Sequence, residues 1–290
     1  MDAARPGGTL YLCPGTWAEA DARAVIGKDL TIVGAGSGDD PATSTILLPG
    51  NGRAFDVLAG ATVAIRGLRV AEVLLDEGNG GAIRNAGDLT LDDCTLRGNR
   101  TFEPGNHGGG IANEERGSLA LARCTLTSNT ASNGGGIAHT GRGGTLTIVD
   151  STISGNNTST TGGGIWITAE DSEITISGST ISDNTVGMPG FGVGGGGIWS
   201  DAPGSELTIA DSTITQNNAA RGGGVHNRST RTVLDGTNVT DNVAYADDAG
   251  GGLYQWANEG SIALRNGSTV GGNTGGNCIG SPIGGDGCAP

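Results

Sequence analysis

Aromatic side chains and positive charges are scarce in this chain. Its 290 residues include 4 Trp, 3 Tyr and 3 Phe, so the core must be narrow and filled by Ile, Leu and Val. Lys and Arg together number 16 against 30 Asp and Glu, which gives a formal net charge of −14. A surface of that sign repels a phosphate backbone, and we therefore expect no nucleic-acid partner.

Long apolar segments are also missing. No run approaches the ~20 residues that span a bilayer, so we expect no membrane insertion. The first residues contain no apolar segment of the kind found in a signal peptide. There is no Cys-x-x-Cys pair, which argues against a zinc site. Cys278 and Cys288 lie in a Gly-rich tail and could close a small loop, a pairing that the sequence leaves open.

Glycine is abundant instead, with 57 residues, and it recurs at a regular interval. A tetrad Gly-Gly-(Gly/Ala)-(Ile/Val/Leu) has successive aliphatic residues separated by 28, 26, 28, 33, 27 and 28 positions. Its copies span residues 80–83, 108–111, 134–137, 162–165, 195–198, 222–225 and 250–253. A period of this length indicates a repeat architecture in which each unit stacks on its neighbours.

Each repeat contains three short alternating segments. The tetrad is followed by a segment such as Leu-Thr-Ile at 146–148, then by one such as Ser-Thr-Ile at 151–153, and an Asn closes the unit. Alternation with period 2 is typical of a strand that buries one face. The sequence therefore predicts an all-β fold: a right-handed parallel β-helix, or β-solenoid, of about eight or nine coils of ~28 residues with three short strands per coil.

The repeat also defines the predicted domain boundaries. We expect a single β-helix domain over residues 1–277, in which 1–53 form irregular N-terminal capping coils and 54–277 form regular repeats. Residues 278–290 form a Gly-rich C-terminal tail.

The tetrad followed by Ser-Thr-Ile-Ser-x-Asn resembles the repeats of polymorphic outer-membrane proteins. Segments 8–16 and 29–36 are similar to the opening coils of secreted bacterial right-handed β-helix proteins of the pectate-lyase-like superfamily. The resemblance implies an extracellular or cell-surface location. It also implies adhesive surface display in one branch and polysaccharide cleavage in others.

Two regular polar positions have a structural interpretation. An Asn tolerates a left-handed corner, and its amide can bond its copy in the next coil, so we predict a structural column of Asn99, Asn129, Asn156, Asn184, Asn217, Asn242 and Asn273. Cys94 and Cys124 occupy the position that later repeats fill with Ser, and we expect them to be small stacked residues.

The residue after each tetrad should point outward if the aliphatic residue points inward. This outward column reads Arg84, Ala112, Ala138, Trp166, Trp199, His226 and Tyr254, with Trp256 two residues further on. Exposed rings at strand spacing suit the apolar faces of sugars, so we predict a glycan site at Trp166, Trp199, His226, Tyr254 and Trp256. The alternative is that these rings stack on one another or are covered by a loop.

A second aromatic set lies in the variable loops between the Asn and the next tetrad. It consists of Phe102, Phe191 and Tyr245, and aromatic residues on loop tips usually pack locally. Regular Thr-x-Thr pairs on the third strand, such as Thr125 and Thr127, resemble those of ice-binding proteins. Threonine is also an ordinary residue for an exposed β-face.

Groups for catalysis are few. A β-helix lyase needs clustered carboxylates for Ca²⁺ and a base that abstracts a proton, and the only lysine is Lys28. No motif supports Ca²⁺, and we expect no cofactor, no metal site and no catalytic residue. Three or more carboxylates that converge beside an Arg in a groove would favour a lyase or hydrolase instead.

We therefore expect a non-catalytic extracellular or cell-surface β-solenoid with an adhesive or structural role. Its predicted partner is a polysaccharide or a cell-surface glycan. The alternatives are a polysaccharide lyase or glycoside hydrolase, a filament subunit that associates through the solenoid ends, and an ice-binding protein.

Overall fold

The computed structural model describes residues 4–18, 23–187, 194–247, 249–256, 259–280, 283–284 and 288. In this part of the chain every strand pairs in parallel with strands of neighbouring coils, and no residue is helical. The chain winds about nine times, with equivalent positions about 28 residues apart. The predicted parallel β-helix is confirmed. Among the described residues, no helix is long and apolar enough to cross a membrane.

Three long sheets correspond to the three predicted segments of each repeat. The first, here called the tetrad sheet, has ten strands: Ala24–Ile26, Phe55–Val57, Ile83–Asn85, Ile111–Asn113, Ile137–His139, Ile165–Ile167, Ile198–Ser200, Val225–Asn227, Leu253–Gln255 and Cys278–Ile279. The second, the eleven-stranded sheet, has the strands Gly8–Tyr11, Leu30–Val33, Thr62–Arg66, Asp88–Asp92, Ser118–Ala122, Thr145–Val149, Glu173–Ser177, Glu206–Ala210, Arg231–Asp235, Ser261–Arg265 and Ile283–Gly284. The third, the threonine sheet, has ten strands: Gly15–Trp17, Thr45–Leu47, Arg69–Ala71, Thr95–Arg97, Thr125–Thr127, Thr152–Ser154, Thr180–Ser182, Thr213–Thr215, Asn238–Thr240 and Thr269–Gly271.

A fourth sheet was not predicted. This short sheet follows the closing Asn and has seven strands: Leu74–Leu75, Arg100–Thr101, Thr130–Asn133, Asn157–Thr161, Thr185–Val186, Asn218–Ala219 and Val243–Ala244. Most of these strands have two residues, which is too short for an alternating pattern to be recognised in the sequence. The three predicted strands of each coil are therefore confirmed as the three long sheets, and the strand that forms this fourth sheet was not predicted.

The core is a continuous column of aliphatic side chains. In one coil Ile165, Ile174, Ile176 and Ile181 all point inward and are fully buried, and equivalent residues continue through the chain as one cluster. Strand alternation explains this arrangement, because every second side chain of a strand faces the same side.

Both ends of the chain extend the same sheets. Gly8–Tyr11 pairs with Leu30–Val33, so the first coil already follows the pattern of the later ones. At the other end Cys278–Ile279 adds to the tetrad sheet beside Leu253 and Tyr254. Cys278 and Cys288 form a disulfide, which settles the pairing that the sequence left open.

The predicted asparagine column is confirmed and is buried throughout its middle part. Asn156 donates from its backbone N–H (3.0 Å) and from Nδ2 (2.9 Å) to Oδ1 of Asn184 in the next coil. Its Nδ2 also donates to the carbonyl of Leu126 in the preceding coil at 3.0 Å. Asn129 makes the same two bonds to Oδ1 of Asn156. The side-chain amide of Asn156 therefore satisfies two backbone groups of the preceding coil and also bonds the side chain of the next Asn.

A second buried polar column ends several strands of the tetrad sheet. Nδ2 of Asn85 donates to Oδ1 of Asn113 at 2.6 Å, and Nδ2 of Asn113 lies 2.9 Å from Nδ1 of His139. Nε2 of His139 is buried and has no hydrogen-bond partner among the residues that the structure describes. Desolvation lowers the pKa of His139 to about 4, so its ring is neutral and its Nδ1 accepts from Asn113.

We predict that Asn156→Ala costs on the order of 3 kcal/mol, because it leaves donors of Asn129 and the carbonyl of Leu126 unpaired in the core. The neighbouring Asn157 is exposed, and Asn157→Ala is the matched control with an expected change within about 0.5 kcal/mol. Urea unfolding measures both. Equal losses in the two variants would contradict the structural role of the column.

A second prediction concerns acid stability. The folded-state pKa of His139 lies below the unfolded value of about 6.5, so its neutral ring contributes stability that is complete above pH 6.5 and is lost as the pH falls to about 4. The loss attributable to this residue is on the order of 3 kcal/mol. Other strands carry Asn at this position, and His139→Asn should remove that part of the pH dependence. Unfolding midpoints at pH 7 and pH 4 test this, and parallel pH profiles for both proteins would overturn it.

Candidate functional site

The outward column of the tetrad sheet brings the predicted aromatic residues together. Trp166, Trp199, His226 and Tyr254 are paired in register on consecutive strands. The ring centroid of His226 lies 4.1 Å from that of Trp199 and 4.8 Å from that of Tyr254. The ring of Trp256 lies 6.2 Å from that of Tyr254. Four rings therefore form one cluster, and Trp166 occupies the adjacent coil.

The expectation that the rings of this column are exposed is wrong at two positions. Trp199 is 8% exposed and His226 is fully buried. A Cβ placed on Gly194 would lie 2.4 Å from Nδ1 of His226, so the backbone of the preceding loop passes directly against this ring. The resulting desolvation lowers the pKa of His226 to about 3. Trp166 and Tyr254 are half-buried, and Trp256 is exposed.

A charge cluster occupies the N-terminal part of the same column. Asp56 and Arg84 are paired in register on adjacent strands. Arg84 donates to Asp56 at 3.2 Å, to Glu114 at 2.7 Å and to Glu115 at 3.2 Å. This cluster was not predicted, because residues 56, 84 and 114 are far apart in the sequence and belong to different repeats.

Glu114 is held in its ionised form. Its Oε1 lies 3.4 Å from Nε2 of His107 and accepts from Nδ2 of Asn79 at 2.6 Å, while Arg84 donates to Oε2. The contact with His107, followed by those with Arg84 and Asn79, lowers the pKa of Glu114 to about 2. A general acid needs a pKa near the working pH. The convergence of carboxylates on an Arg is thus present, but this carboxylate is suited to holding its neighbours and not to delivering a proton.

We predict that Asp56→Asn destabilises the protein by on the order of 3 kcal/mol. Asp56 is fully buried and contacts the guanidinium groups of Arg23, Arg53 and Arg84, so the substitution leaves the buried Arg53 without its counter-charge. Glu206→Gln is the control, because Glu206 pairs with Arg231 at the exposed surface and should contribute under about 1 kcal/mol. Chemical unfolding of the two variants measures the difference, and similar losses would show that burial of the charge cluster does not matter.

A ligand-sized groove lies on the short sheet and is here called the short-sheet groove. It has a volume of about 350 Å³ and crosses four consecutive coils, which is a length of ~14 Å at the ordinary strand spacing. Its lining consists of Arg100, Thr101, Phe102, Thr130, Ala131, Ser132, Asn157, Thr158, Ser159 and Gly187. Ligand pockets commonly have volumes of about 300–1,000 Å³ and a small set of polar groups.

Phe102 lines one end of this groove, and Tyr245 lies outside the lining, two coils beyond the strand that precedes Gly187. Phe102 is 45% exposed, and the guanidinium carbon of Arg100 lies 4.4 Å from its ring centroid. Tyr245 is 41% exposed, and its hydroxyl donates at 3.4 Å to the carbonyl of Val186, the residue before Gly187. The two loop aromatics that the structure describes were expected to pack locally, and both are exposed. Phe191 lies outside the described residues.

Hydroxyl and amide groups lie between the two rings. Ser132, Ser159 and Asn157 line the groove, and Asn157 is exposed. Oγ1 of Thr101 and Oγ1 of Thr158 are buried without a hydrogen-bond partner in the described part of the chain. The set combines flat apolar surface, one cation and several groups that both donate and accept hydrogen bonds.

Sequence reasoning missed this groove because its residues fall in the irregular part of the repeat. Phe102 and Arg100 belong to one loop, and Ser132 and Ser159 belong to the loops of the next two coils. The signal that could have identified it is the recurrence of an aromatic residue three positions after the closing Asn, at Phe102 after Asn99 and at Tyr245 after Asn242.

The threonine sheet and the acidic side chains bear on the expectations about ice binding and metal sites. The hydroxyl rows of the threonine sheet are in register, with Thr125 beside Thr152 and Thr127 beside Ser154, and ice binding by this face stays a prediction. Among the residues that the structure describes, no group of three or more His, Cys, Asp or Glu side chains is placed to hold a metal ion.

Comparison with known proteins identifies one related family. A family model described as a right-handed β-helix region matches residues 60–274, about three quarters of the chain. No curated protein and no solved structure shows a significant match. The matched residues include the short-sheet groove, the aromatic column from Trp166 to Trp256, and the whole asparagine column from Asn99 to Asn273.

Proposed function

The chain belongs to the right-handed β-helix family, and we propose that it is a non-catalytic extracellular or cell-surface protein that binds a glycan in the short-sheet groove. The observation that carries this proposal is the pairing of Phe102 and Arg100 at the mouth of a groove lined by hydroxyl groups. A sugar ring presents an apolar C–H face beside hydroxyl groups. This groove offers partners for both.

The exposed rings support stacking on sugars. The whole chain has three Phe and three Tyr, and one of each flanks this groove with more than two fifths of its surface exposed. An exposed aromatic ring in water is stabilised when a flat apolar surface covers it. The groove crosses four coils along the solenoid axis, which favours an extended chain of linked sugars over a single small ring.

The polar lining supports hydrogen bonding to hydroxyl groups. Ser132, Ser159 and Asn157 present side chains that donate and accept. Among the described residues Arg100 has no carboxylate partner within 4.0 Å, so its guanidinium can bind a ligand oxygen. The described lining contains no carboxylate, imidazole or thiol. The groove therefore supplies groups for binding and none of the usual groups for proton transfer.

Two features support a location outside the cell. The disulfide between Cys278 and Cys288 suits an oxidising compartment. The formal net charge of −14 keeps a rod-like molecule soluble and separate from other copies. The predicted aromatic column stays a second possible surface for the same function, through Trp166, Tyr254 and Trp256.

A glycan array tests the proposal. We expect the native protein to be retained by a subset of polysaccharides, and Phe102→Ala and Arg100→Gln each to weaken binding about tenfold or more, equivalent to about 1.4 kcal/mol. Both side chains are exposed, so thermal unfolding should be unchanged. Thr213→Ala on the threonine sheet serves as the control.

Substitutions in the aromatic column separate the two surfaces. Trp166→Ala and Trp256→Ala should leave retention unchanged if the glycan occupies the short-sheet groove. Loss of retention in these variants together with full retention of Phe102→Ala would move the site to the aromatic column. Absence of retention on every polysaccharide would overturn the adhesive function itself.

A further inference from the structure

Two cysteines share one position in consecutive coils. Thr95 pairs in register with Thr125, which places Cys94 and Cys124 directly above one another at the entry to the threonine sheet. The backbone N–H of Thr125 donates to the carbonyl of Cys94 at 2.9 Å. Both thiols are free, and both side chains are buried in the core.

In the next two coils a serine occupies this position and forms a hydrogen bond to the backbone. Ser151 and Ser179 occupy it there, and the Oγ of each accepts the backbone N–H of the residue one coil earlier: Ser179 accepts from Ser151 at 3.1 Å, and Ser151 accepts from Cys124 at 3.0 Å. Serine therefore fits this position and satisfies a backbone donor. The two cysteines stand directly before this column of hydroxyl groups, and they place two thiols at equivalent positions of adjacent coils.

The two thiols interact directly. Each Sγ donates to a backbone carbonyl of its own coil, Cys94 to Asp92 at 3.4 Å and Cys124 to Ala122 at 3.3 Å. The neighbouring thiol lowers the pKa of Cys124 and raises that of Cys94. The thiolate form of a cysteine is the nucleophile in disulfide exchange.

We propose that Cys94 and Cys124 are oxidised to a disulfide that joins two consecutive coils of the solenoid. Adjacent parallel strands place paired Cα atoms ~4.8 Å apart, within the ~4.4–6.8 Å that disulfides span. The Cys278–Cys288 disulfide already requires an oxidising environment, so no additional condition is needed. The protein would then hold two disulfides and one free thiol, at the exposed Cys13.

The oxidant is a small disulfide such as oxidised glutathione. The Cys124 thiolate attacks one sulfur of this disulfide and releases one thiolate, which takes up a proton. The Cys94 thiol then loses its proton and its sulfur attacks Cys124 Sγ, which releases the second half of the oxidant as a thiol. Two protein thiols and one disulfide are converted into one protein disulfide and two small thiols.

Burial of both sulfur atoms determines when this reaction occurs. Cys94 and Cys124 are 2% and 1% exposed, so the oxidant reaches them while the coils assemble and not after the core has closed. Folding under oxidising conditions should therefore give the cross-link. Treatment of the reduced folded protein with the same oxidant should give it far more slowly.

The test is to refold the reduced, full-length chain in a glutathione redox buffer. The product is unfolded in acid, alkylated and digested, and its peptides are identified by mass spectrometry. We expect a peptide pair cross-linked through Cys94 and Cys124, with alkylation confined to Cys13. The Cys278–Cys288 cross-link serves as the internal control for oxidation. Full alkylation of Cys94 and Cys124 in molecules that have formed Cys278–Cys288 would overturn the proposal.

Serine variants give an independent readout. Cys94→Ser should fold, because Ser is the residue at this position in the later coils, and it should leave Cys124 alkylated. In the native protein a reductant should lower the thermal midpoint by more than in the double variant Cys94→Ser/Cys124→Ser, where only Cys278–Cys288 remains to be broken. The same shift in both proteins would contradict a cross-link between the coils.

Discussion

Every amide in the asparagine column must meet a partner one coil away, because an unpaired polar group in a dry interior costs about 1–3 kcal/mol. Asn156 shows how strict this requirement is, since its side chain bonds a backbone carbonyl of the coil before and an amide of the coil after. A shift of one residue anywhere in the stack would break several such contacts. The column therefore keeps the sheets in register, and the repeat varies in length mainly in the loop between the Asn and the next tetrad.

The glycines that close each loop reinforce the same register. A Cβ on Gly163 would lie 2.5 Å from the carbonyl oxygen of Gly196, so neighbouring coils approach too closely there for any side chain. Each variable loop thus begins at a buried Asn and ends at a closely packed Gly. Between these points the chain forms the short sheet, and its side chains are free to differ from coil to coil. The short-sheet groove lies in this less constrained part of the repeat, which is why Phe102 and Arg100 differ from the residues at the same positions of the adjacent coils.

Sequence periodicity predicted the long sheets, the inward aliphatic residues and the asparagine column, because all three depend on contacts between equivalent residues of adjacent coils. It also predicted that Trp199 and His226 lie on one outward column. It failed on their exposure, since the backbone that covers His226 comes from the loop at Gly194, which follows no repeat. Periodicity could not predict the contacts of Asp56 and Arg84 either, because each of these residues occurs in a single coil where other coils have a small or aromatic side chain.

The side-chain amide dipoles of the asparagine column also share one direction. From Asn99 to Asn242 every side chain accepts from the preceding coil and donates to the following one, so the amide dipoles point the same way along the axis. Such an array places partial negative charge at the N-terminal end of the column and partial positive charge at its C-terminal end. The dipole of an α-helix has the opposite direction, with partial positive charge at the N-terminus. At its last member Asn273 donates to Oδ1 of Asn277, a residue of the final turn. Asn277 therefore caps the column, because its Oδ1 accepts the hydrogen bond that the last Asn of the column donates.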